Sequence, residues 1–374
     1  MTGLNIHIYP SIFTNESRIE RISGALQATG LFSATHLLGI AADGLPSENE
    51  VGEDVVVHRL GHPRPSASGL VGKVRARVGW FTDVYRHYRH QPVAVVHAHS
   101  VWMLPVSWAL SKRTGAVLSY LPEELETESA RSRGLRRRVA RVLERRLLGS
   151  CTVVCVVNPS IADWYSASYG RLPVSVRSFP NDSQQTVFDL RSKLGIPHDE
   201  LLFVHTGHLI EGRSIPAILD AFAAAEDRHV VFIGDGKYGP DVRAASERHR
   251  TIHWLAPVSP ADVVAYVRGA DAALVLIEPT CVSFRLASPN KLFEALSAGI
   301  PPVCTDLAEA RRLLRPLDTT WVGGPDEPVA RRIFGVSRSD IETFRQQWPG
   351  LPAWSAEVAP LLREVESAVR ARST

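Results

Sequence analysis

Short apolar runs recur along the chain, separated by stretches in which apolar residues return every three or four positions. The runs at 4–9, 34–40, 54–60, 93–97, 116–120, 151–157 and 174–177 are too short for helices and predict buried strands. A second series follows at 201–206, 229–233, 251–254, 272–277 and 302–305. Helical patterns fall between them, as where Ile19, Ile22 and Leu26 share one face. Strands that are apolar on both sides belong to parallel sheets covered by helices on both faces. Between the two series, Phe179-Pro180-Asn181-Asp182-Ser183-Gln184-Gln185 is polar and rich in turn formers, as a hinge would be. The pattern predicts two doubly wound, Rossmann-like α/β domains facing a cleft, residues 1–178 and 179–354, followed by a helix from 355. Ligands of such sheets bind outside the carboxyl ends of the strands, so chemistry is expected in the loops that follow them.

The richest of these loops is Ser288-Pro289-Asn290-Lys291-Leu292-Phe293-Glu294, which runs on to Gly299. Ser288 suits an N-cap, Pro289 the first helical position, and Gly299 the end of the helix. A helix that starts above a strand end turns its free N–H groups toward an anion, above all a phosphate. Lys291 adds a cation there, and Glu294 lies on the same face, within reach of a ribose. A capped surface helix with a Lys–Glu pair is the plainer alternative.

Gly207-His208-Leu209-Ile210-Glu211-Gly212-Arg213 follows the strand at 201–206. Its glycines allow close backbone approach, and Arg213 offers a planar cation for diphosphate oxygens; an exposed loop arginine is the alternative. Gly234-Asp235-Gly236-Lys237-Tyr238-Gly239 is a literal G-x-G-x-x-G. A dinucleotide site needs a helix running through the third glycine, where Gly239-Pro240 is expected to break the chain. It also needs an acid after the next strand, where Trp254-Leu255-Ala256-Pro257-Val258 has none. Backbone at Gly234, Asp235 and Gly236 is instead expected to approach a base or ribose.

In the first half, the loop Pro10-Ser11-Ile12-Phe13-Thr14-Asn15-Glu16-Ser17-Arg18 should overhang the cleft, where Ser11, Thr14, Asn15 and Arg18 could meet a ligand or simply cap a helix. His99 stands at the tip of another strand, and Glu123 in the loop after the next. A carboxylate at 123 could accept a hydrogen bond or draw a proton; a solvated acidic helix start is the alternative.

Composition narrows the classes. With 374 residues, 45% hydrophobic and 22% charged, the chain has ample core for two domains. A net charge of +3 is too small to imply a nucleic-acid partner. Only five of 42 basic residues are lysines, which makes Lys291 a less generic occupant of its loop. The four cysteines lack a C-x-x-C spacing and are expected to be buried free thiols. The start lacks the plan of a signal peptide and no apolar run approaches membrane-spanning length, so a cytoplasmic protein is expected. Between 131 and 146, eight arginines accompany one glutamate, with Leu135, Val139, Val142 and Leu143 on the other face. Such a helix can make a peripheral membrane contact, but without Trp or Phe the pattern favours a packed helix with a solvated basic face.

The order Gly-x-Leu-x-x-x-Arg at 207–213, Gly-Asp-Gly at 234–236, Pro-x-Ser-Pro at 257–260, Ala-Asp-Ala-Ala-Leu at 270–274 and Pro-Asn-Lys-Leu-Phe-Glu-Ala-Leu-Ser-Ala-Gly-Ile-Pro-Pro-Val at 289–303 resembles the donor half of GT-B glycosyltransferases. The resemblance is to the large retaining family that includes sucrose synthase-like and bacterial mannosyl- and N-acetylglucosaminyl-transferases. It covers nearly the whole chain, since Trp354-Ser355 resembles the family's turn into a final helix crossing back to the first domain. It implies transfer of a sugar from a UDP- or GDP-linked donor to a small-molecule, lipid or saccharide acceptor. It further implies that Arg213 and Lys291 bind the diphosphate and drive catalysis, that Glu294 binds ribose, and that Gly207, Gly234, Asp235, Gly236, Leu255, Ser288 and Asn290 complete the donor site. On the acceptor side it implicates Ser11, Asn15, Arg18, His99 and Glu123, with His99 and Glu123 near the chemistry.

Two departures stand out: Leu286 occupies the place of the family's first glutamate, and Glu123 that of a histidine. No cofactor is expected, the nucleotide sugar being a substrate, and no Asp-x-Asp tripeptide is present to hold a metal. A nucleotide-sugar-binding module without turnover, an NAD-dependent enzyme, and an epimerase or phosphorylase are the rival classes.

Overall fold

The computed structural model describes every residue except 1–2, 15, 62–69, 131, 181–185 and 374. The chain divides into two compact units, Met1–Val176 with Ser355–Thr374, and Arg177–Trp354. Each is a doubly wound α/β unit. The residues expected as a hinge therefore fall largely outside those described.

The first unit holds β1 (Leu4–Ile8), β2 (Thr35–Ile40), β3 (Glu48–Gly52), β4 (Val55–Leu60), β5 (Val93–Ala98), β6 (Val117–Tyr120), β7 (Val153–Val156) and β8 (Val174–Ser175). They form one sheet in the order β3-β4-β2-β1-β5-β6-β7-β8. All neighbours pair in parallel except β3, which runs antiparallel to β4. β3 is the strand that the apolar pattern misses. Its residues are polar and mostly exposed, and backbone pairing at the sheet edge, not burial, makes it a strand.

Helices α1 (Ser17–Gln27), α2 (Leu70–Tyr88), α3 (Leu104–Thr114), α4 (Gly134–Leu147) and α5 (Pro159–Tyr169) cover this sheet. α3 and α5 both have proline in the first helical turn and end on a glycine with positive φ, Gly115 at 77° and Gly170 at 66°. α4 is fixed by its one carboxylate. Buried Glu144 accepts hydrogen bonds from the hydroxyls of Tyr120 (2.9 Å), Tyr165 (2.5 Å) and Tyr169 (2.7 Å). The C-terminal helix Trp354–Ser373 belongs to this unit, and Arg372 at its end donates to the Gly115 and Ala116 carbonyls.

The second unit is a fully parallel five-stranded sheet, order β11-β10-β9-β12-β13. Its strands are β9 (Leu201–Thr206), β10 (Arg228–Ile233), β11 (Ile252–Leu255), β12 (Ala272–Val275) and β13 (Pro302–Cys304). From β9 the chain builds outward one way to β10 and β11, then returns to place β12 and β13 on the other side. The order therefore reverses between β9 and β12, the place where ligands of such sheets bind.

Along β9 alternate residues serve opposite faces. Leu201 and Phe203 enter one core with Phe222 and Phe232, while Leu202 and Val204 enter the other with Val231 and Ala295. Each such large side chain stabilises the sheet by about 1.5–3 kcal/mol. The alternation carries on to the strand tip, sending His205 and Thr206 to opposite sides.

Here α6 (Leu190–Leu194), α7 (Ile215–Ala223), α8 (Gly239–Arg248), α9 (Val263–Arg268), α10 (Val282–Arg285) and α11 (Asn290–Ala298) connect or flank the strands. Several helix starts differ from the sequence expectation. Pro289, not Ser288, is the N-cap of α11, and no side chain caps it. Ser214 sits at the N-cap of α7 with φ 52° and no capping bond from its hydroxyl; its N–H is accepted by Glu278 at 3.2 Å. α9 starts after Asp262 rather than Ser259, whose hydroxyl donates to the Asp262 carboxylate. Gly239-Pro240 begins α8 rather than breaking the chain, because proline fits the first turn, where its missing N–H costs nothing. All four cysteines are free; Cys281 is half-buried and the other three buried.

Candidate functional site

In the second unit, the tip of β9, the loop before α7 and the start of α11 place five polar side chains together. The Lys291 ammonium lies 2.9 Å from Nε2 of His205. Thr206 donates its hydroxyl to Glu294 at 2.7 Å, fixing that carboxylate one turn into α11. Arg213, 78 positions before Lys291 in the chain, is near enough to act electrostatically on both His205 and Lys291. Its guanidinium also stacks over Phe284, 5.3 Å from the ring centre.

These contacts dictate the protonation pattern. Burial, with Lys291 and Arg213 beside it, holds His205 well below the usual histidine range, so the ring is neutral. Its Nε2 then accepts from Lys291, which leaves the proton on Nδ1, a buried atom without a hydrogen-bond partner among the described residues. Burial first, then the Arg213 guanidinium, push the Lys291 ammonium down to about 7, against an opposing pull from Glu294. Two cations thus share a half-buried position at the N-terminus of α11, and the nearest carboxylate is already engaged by Thr206. Such a place is short of negative charge, and an anion would restore the ammonium.

The remaining expected donor residues divide. Ser288 and Asn290 flank the start of α11, Asn290 exposed. Gly207 and Gly212 shape the loop leading to Arg213, with φ of 85° and 79°. Gly234 and Gly236 have a packing reason of their own. A Cβ on Gly234 would stand 2.0 Å from the Gly207 carbonyl oxygen, and one on Gly236 would stand 2.7 Å from that of Leu209. These glycines let the loops after β9 and β10 pack backbone against backbone. Asp235 closes its own turn onto the Gly236 N–H at 2.8 Å and pairs with Arg243. The Leu255 carbonyl accepts from Gly234 N–H at 3.2 Å. Leu286 caps the end of short helix α10 and carries no charge to this place.

In the first unit, the tips of β1, β5 and β6 assemble a second polar cluster. Glu123 Oε1 accepts from Arg18 at 2.8 Å and from His99 Nδ1 at 2.9 Å. His99 Nε2 lies 2.8 Å from His7 Nδ1, and His7 stacks on His97 with ring centres 4.3 Å apart. Burial alone would raise the Glu123 carboxyl, but Arg18 and the His99 hydrogen bond outweigh it and hold Glu123 below the usual carboxylate range. Burial keeps His99, His7 and His97 low and neutral. An ionised Glu123 fixes the tautomers in turn: His99 donates from Nδ1 and accepts at Nε2 from His7.

This geometry corrects two expectations. His99 is fully buried with both ring nitrogens engaged, so it presents no atom to an acceptor. Arg18 is likewise buried against Glu123. Both orient Glu123, which alone of the three keeps part of its side chain open. Ser11 is turned inward as well, donating to Glu16 and accepting from Phe13 N–H at 3.1 Å, because Phe13 buries its ring in the loop. Asn15 lies outside the described residues. The sequence reading missed His205, Thr206 and His7. The signal for the first two was their place at the end of a strand, immediately before Gly207.

Two family models match the chain in succession, the "Glycosyl transferase 4-like domain" over residues 16–182 and "Glycosyl transferases group 1" over residues 200–332. A Bacillus subtilis (strain 168) protein named as a teichuronic acid biosynthesis glycosyltransferase, TuaC, is 26% identical over 169 residues. That match spans 44% of this chain and 41% of TuaC, so it covers less than half the length of that relative. Among solved structures, sucrose-phosphate synthase from Thermosynechococcus elongatus aligns over 98% of this chain and 100% of its own, with TM-score 0.74 and 12% identity. Anabaena Alr3699/HepE in complex with UDP-glucose aligns over 99% and 100%, with TM-score 0.65 and 14% identity. WaaG, a glycosyltransferase involved in lipopolysaccharide biosynthesis, aligns over 98% and 99%, with TM-score 0.65 and 14% identity. At these identities the structural likenesses establish the fold.

Proposed function

The chain belongs to the GT-B glycosyltransferases, and from that premise we propose that it moves a sugar from a nucleoside-diphosphate donor, UDP- or GDP-linked, to a hydroxyl acceptor. The observation that carries this reading is the convergence of Lys291, Arg213 and the start of α11 beside a Glu294 already oriented by Thr206. Breaking the bond between the sugar and the diphosphate gathers negative charge on the leaving phosphate while the sugar becomes positive. Cations held in place beforehand favour that distribution over the ground state. Arg213 and Lys291 supply this stabilisation without a metal, and Glu294 is placed to accept from ribose hydroxyls. HepE, whose fold the chain shares, binds UDP-glucose, which supports UDP as the base-bearing carrier. TuaC is named for teichuronic acid biosynthesis, which supports a saccharide acceptor.

Retention of configuration fits this arrangement, with the acceptor's proton passing to the departing phosphate. Glu123, ionised and oriented by Arg18 and His99, is suited to accept a hydrogen bond from a sugar hydroxyl. The test is a thermal-stabilisation screen of UDP- and GDP-sugars and NADH, followed by turnover with saccharide acceptors and assignment of the product anomer. Stabilisation by a nucleotide sugar that vanishes in Arg213→Ala and in Lys291→Ala is expected. Equal stabilisation of both variants, or stabilisation by NADH alone, overturns the assignment; binding without turnover leaves a nucleotide-sugar-binding module.

A further inference from the structure

Lys291 is held at the start of α11 by a residue 86 positions earlier in the chain: its ammonium lies 2.9 Å from Nε2 of His205. His205 is 1% exposed, and the Phe232 ring from β10 is centred 5.6 Å from its own. The strand that carries it is otherwise Leu201, Leu202, Phe203, Val204 and Thr206, all buried. An imidazole in such a strand costs free energy that an aliphatic residue would not, unless its polar atoms are used. Nε2 is used on Lys291, and Nδ1 has no hydrogen-bond partner among the described residues. Lys291 is therefore the contact that accounts for a histidine at this position.

The chemistry of that contact is unusual for a lysine withdrawn from water, which is ordinarily paired with a carboxylate. A carboxylate would orient the ammonium and at the same time cancel its charge. A neutral imidazole orients it and cancels nothing. The charged groups facing Lys291 are Arg213 from the loop before α7 and Glu294 from α11 itself, with His205 facing it from β9. Glu294 accepts from Thr206 at 2.7 Å, while the hydrogen bond of the ammonium goes to the imidazole. Accepting at Nε2 requires the proton on Nδ1, and a second proton would turn the partner into a cation and break the contact. Burial, Lys291 and Arg213 all act against that second proton. An ammonium has three donors, so one engaged by His205 leaves two for phosphate oxygens.

We propose that His205 is a positioning residue for the donor diphosphate: its neutral imidazole sets the direction of the Lys291 ammonium and leaves that charge uncompensated for the leaving phosphate. The inference rests on the donor-site reading and extends it to a residue that acts through Lys291 without touching the donor.

Three substitutions at this one position separate bulk, hydrogen bonding and charge. His205→Gln keeps a neutral acceptor of similar reach, His205→Met keeps bulk without a strong acceptor, and His205→Glu differs from His205→Gln in charge alone. The titration of Lys291 is followed in the nucleotide-free proteins by NMR of 13Cε-labelled lysine. With five lysines in the chain, Lys291→Arg assigns the signal. UDP affinity is then measured on the same proteins at pH 7.5 and 9.5, and melting checks that each is folded.

His205→Gln is expected to keep the low Lys291 titration and to bind UDP within about threefold of wild type. His205→Met should weaken UDP by about tenfold, the loss of one hydrogen bond to a charged group. His205→Glu should lift the Lys291 titration by at least about one pH unit, weaken UDP at pH 7.5 by about tenfold or more, and flatten the fall in affinity toward pH 9.5. Should the buried carboxylate lower the melting temperature, the contrast between His205→Gln and His205→Met decides. A folded His205→Gln that binds UDP as weakly as His205→Met overturns the proposal, because the acceptor would then not matter. So does a Lys291 titration that is the same in all four proteins. Failure of wild type to bind UDP or GDP, with the Lys291 titration still answering to residue 205, overturns the donor-site reading and the positioning role with it, while the pairing of the two side chains stands.

Discussion

Lys291 gives the proposed donor site a pH dependence whose sign and size follow from its surroundings. In the empty site its ammonium is pushed down to about 7, by burial and by Arg213. A diphosphate placed between the two cations would return it toward the value of an ordinary lysine. UDP binding above neutrality must then be accompanied by uptake of a proton, and affinity must fall as pH rises. Above about pH 7.5 the phosphates are already fully ionised, so their own titration does not mask the effect. From pH 7.5 to 9.5 the fraction of charged Lys291 in the empty site drops by about seventyfold, and the UDP association constant should drop nearly as far. His205 does not interfere, because it stays neutral throughout. Isothermal titration in buffers of different ionisation enthalpy reads both affinity and proton uptake. Lys291→Met should bind UDP more weakly at pH 7.5 and show a flat profile with no uptake. A wild-type profile that is flat over this range, or a slope that persists in Lys291→Met, refutes the reasoning.

Other consequences are as concrete. Gly234→Ala forces a Cβ to within 2.0 Å of the Gly207 carbonyl oxygen; it should cost about 3 kcal/mol, visible in calorimetry as a transition lowered by several degrees. Arg18→Gln removes the cation that holds Glu123 low. The acid limb of the transferase pH profile should therefore move to higher pH, while Glu123→Gln should cut turnover by about a hundredfold with little change in donor KM. If the diphosphate is served by Arg213 and Lys291 alone, prolonged treatment with a chelator should leave turnover unchanged; loss of activity restored by a divalent cation would require a metal at the leaving group.

Much of the α/β pattern was legible because the strands of both sheets are buried on two faces and read as continuous apolar runs. The edge strand Glu48–Gly52 was not, since it is held by pairing with β4 and carries little apolar residue to announce itself. Lys291, Glu294 and Arg213 stood out because their loops combine helix-start chemistry with charge. His205 and Thr206 were hidden inside the apolar strand that carries them, and only alternation at the strand tip shows which way each turns. His99 was legible as a strand-tip residue but not as a buried one, for its surroundings come from β1 and Glu123, far away in sequence. The two glycines of the G-x-G turn are explained by the neighbouring loop from β9, a contact that no local pattern encodes. The outward turn of α4, with Leu135, Val139 and Val142 exposed, was invisible for a related reason: the buried side of that helix is specified by three tyrosines donating to one glutamate, not by these aliphatic residues.

The most direct measurement is a double-mutant cycle on UDP binding with Arg213→Ala, Lys291→Ala and the combined variant, using uridine as the ligand without phosphates. Two cations on one pyrophosphate predict that each single change weakens UDP by at least about tenfold, that the two changes are non-additive, and that uridine is barely affected. Single variants that bind UDP as wild type does, or effects that simply add and appear equally with uridine, would contradict a shared diphosphate site.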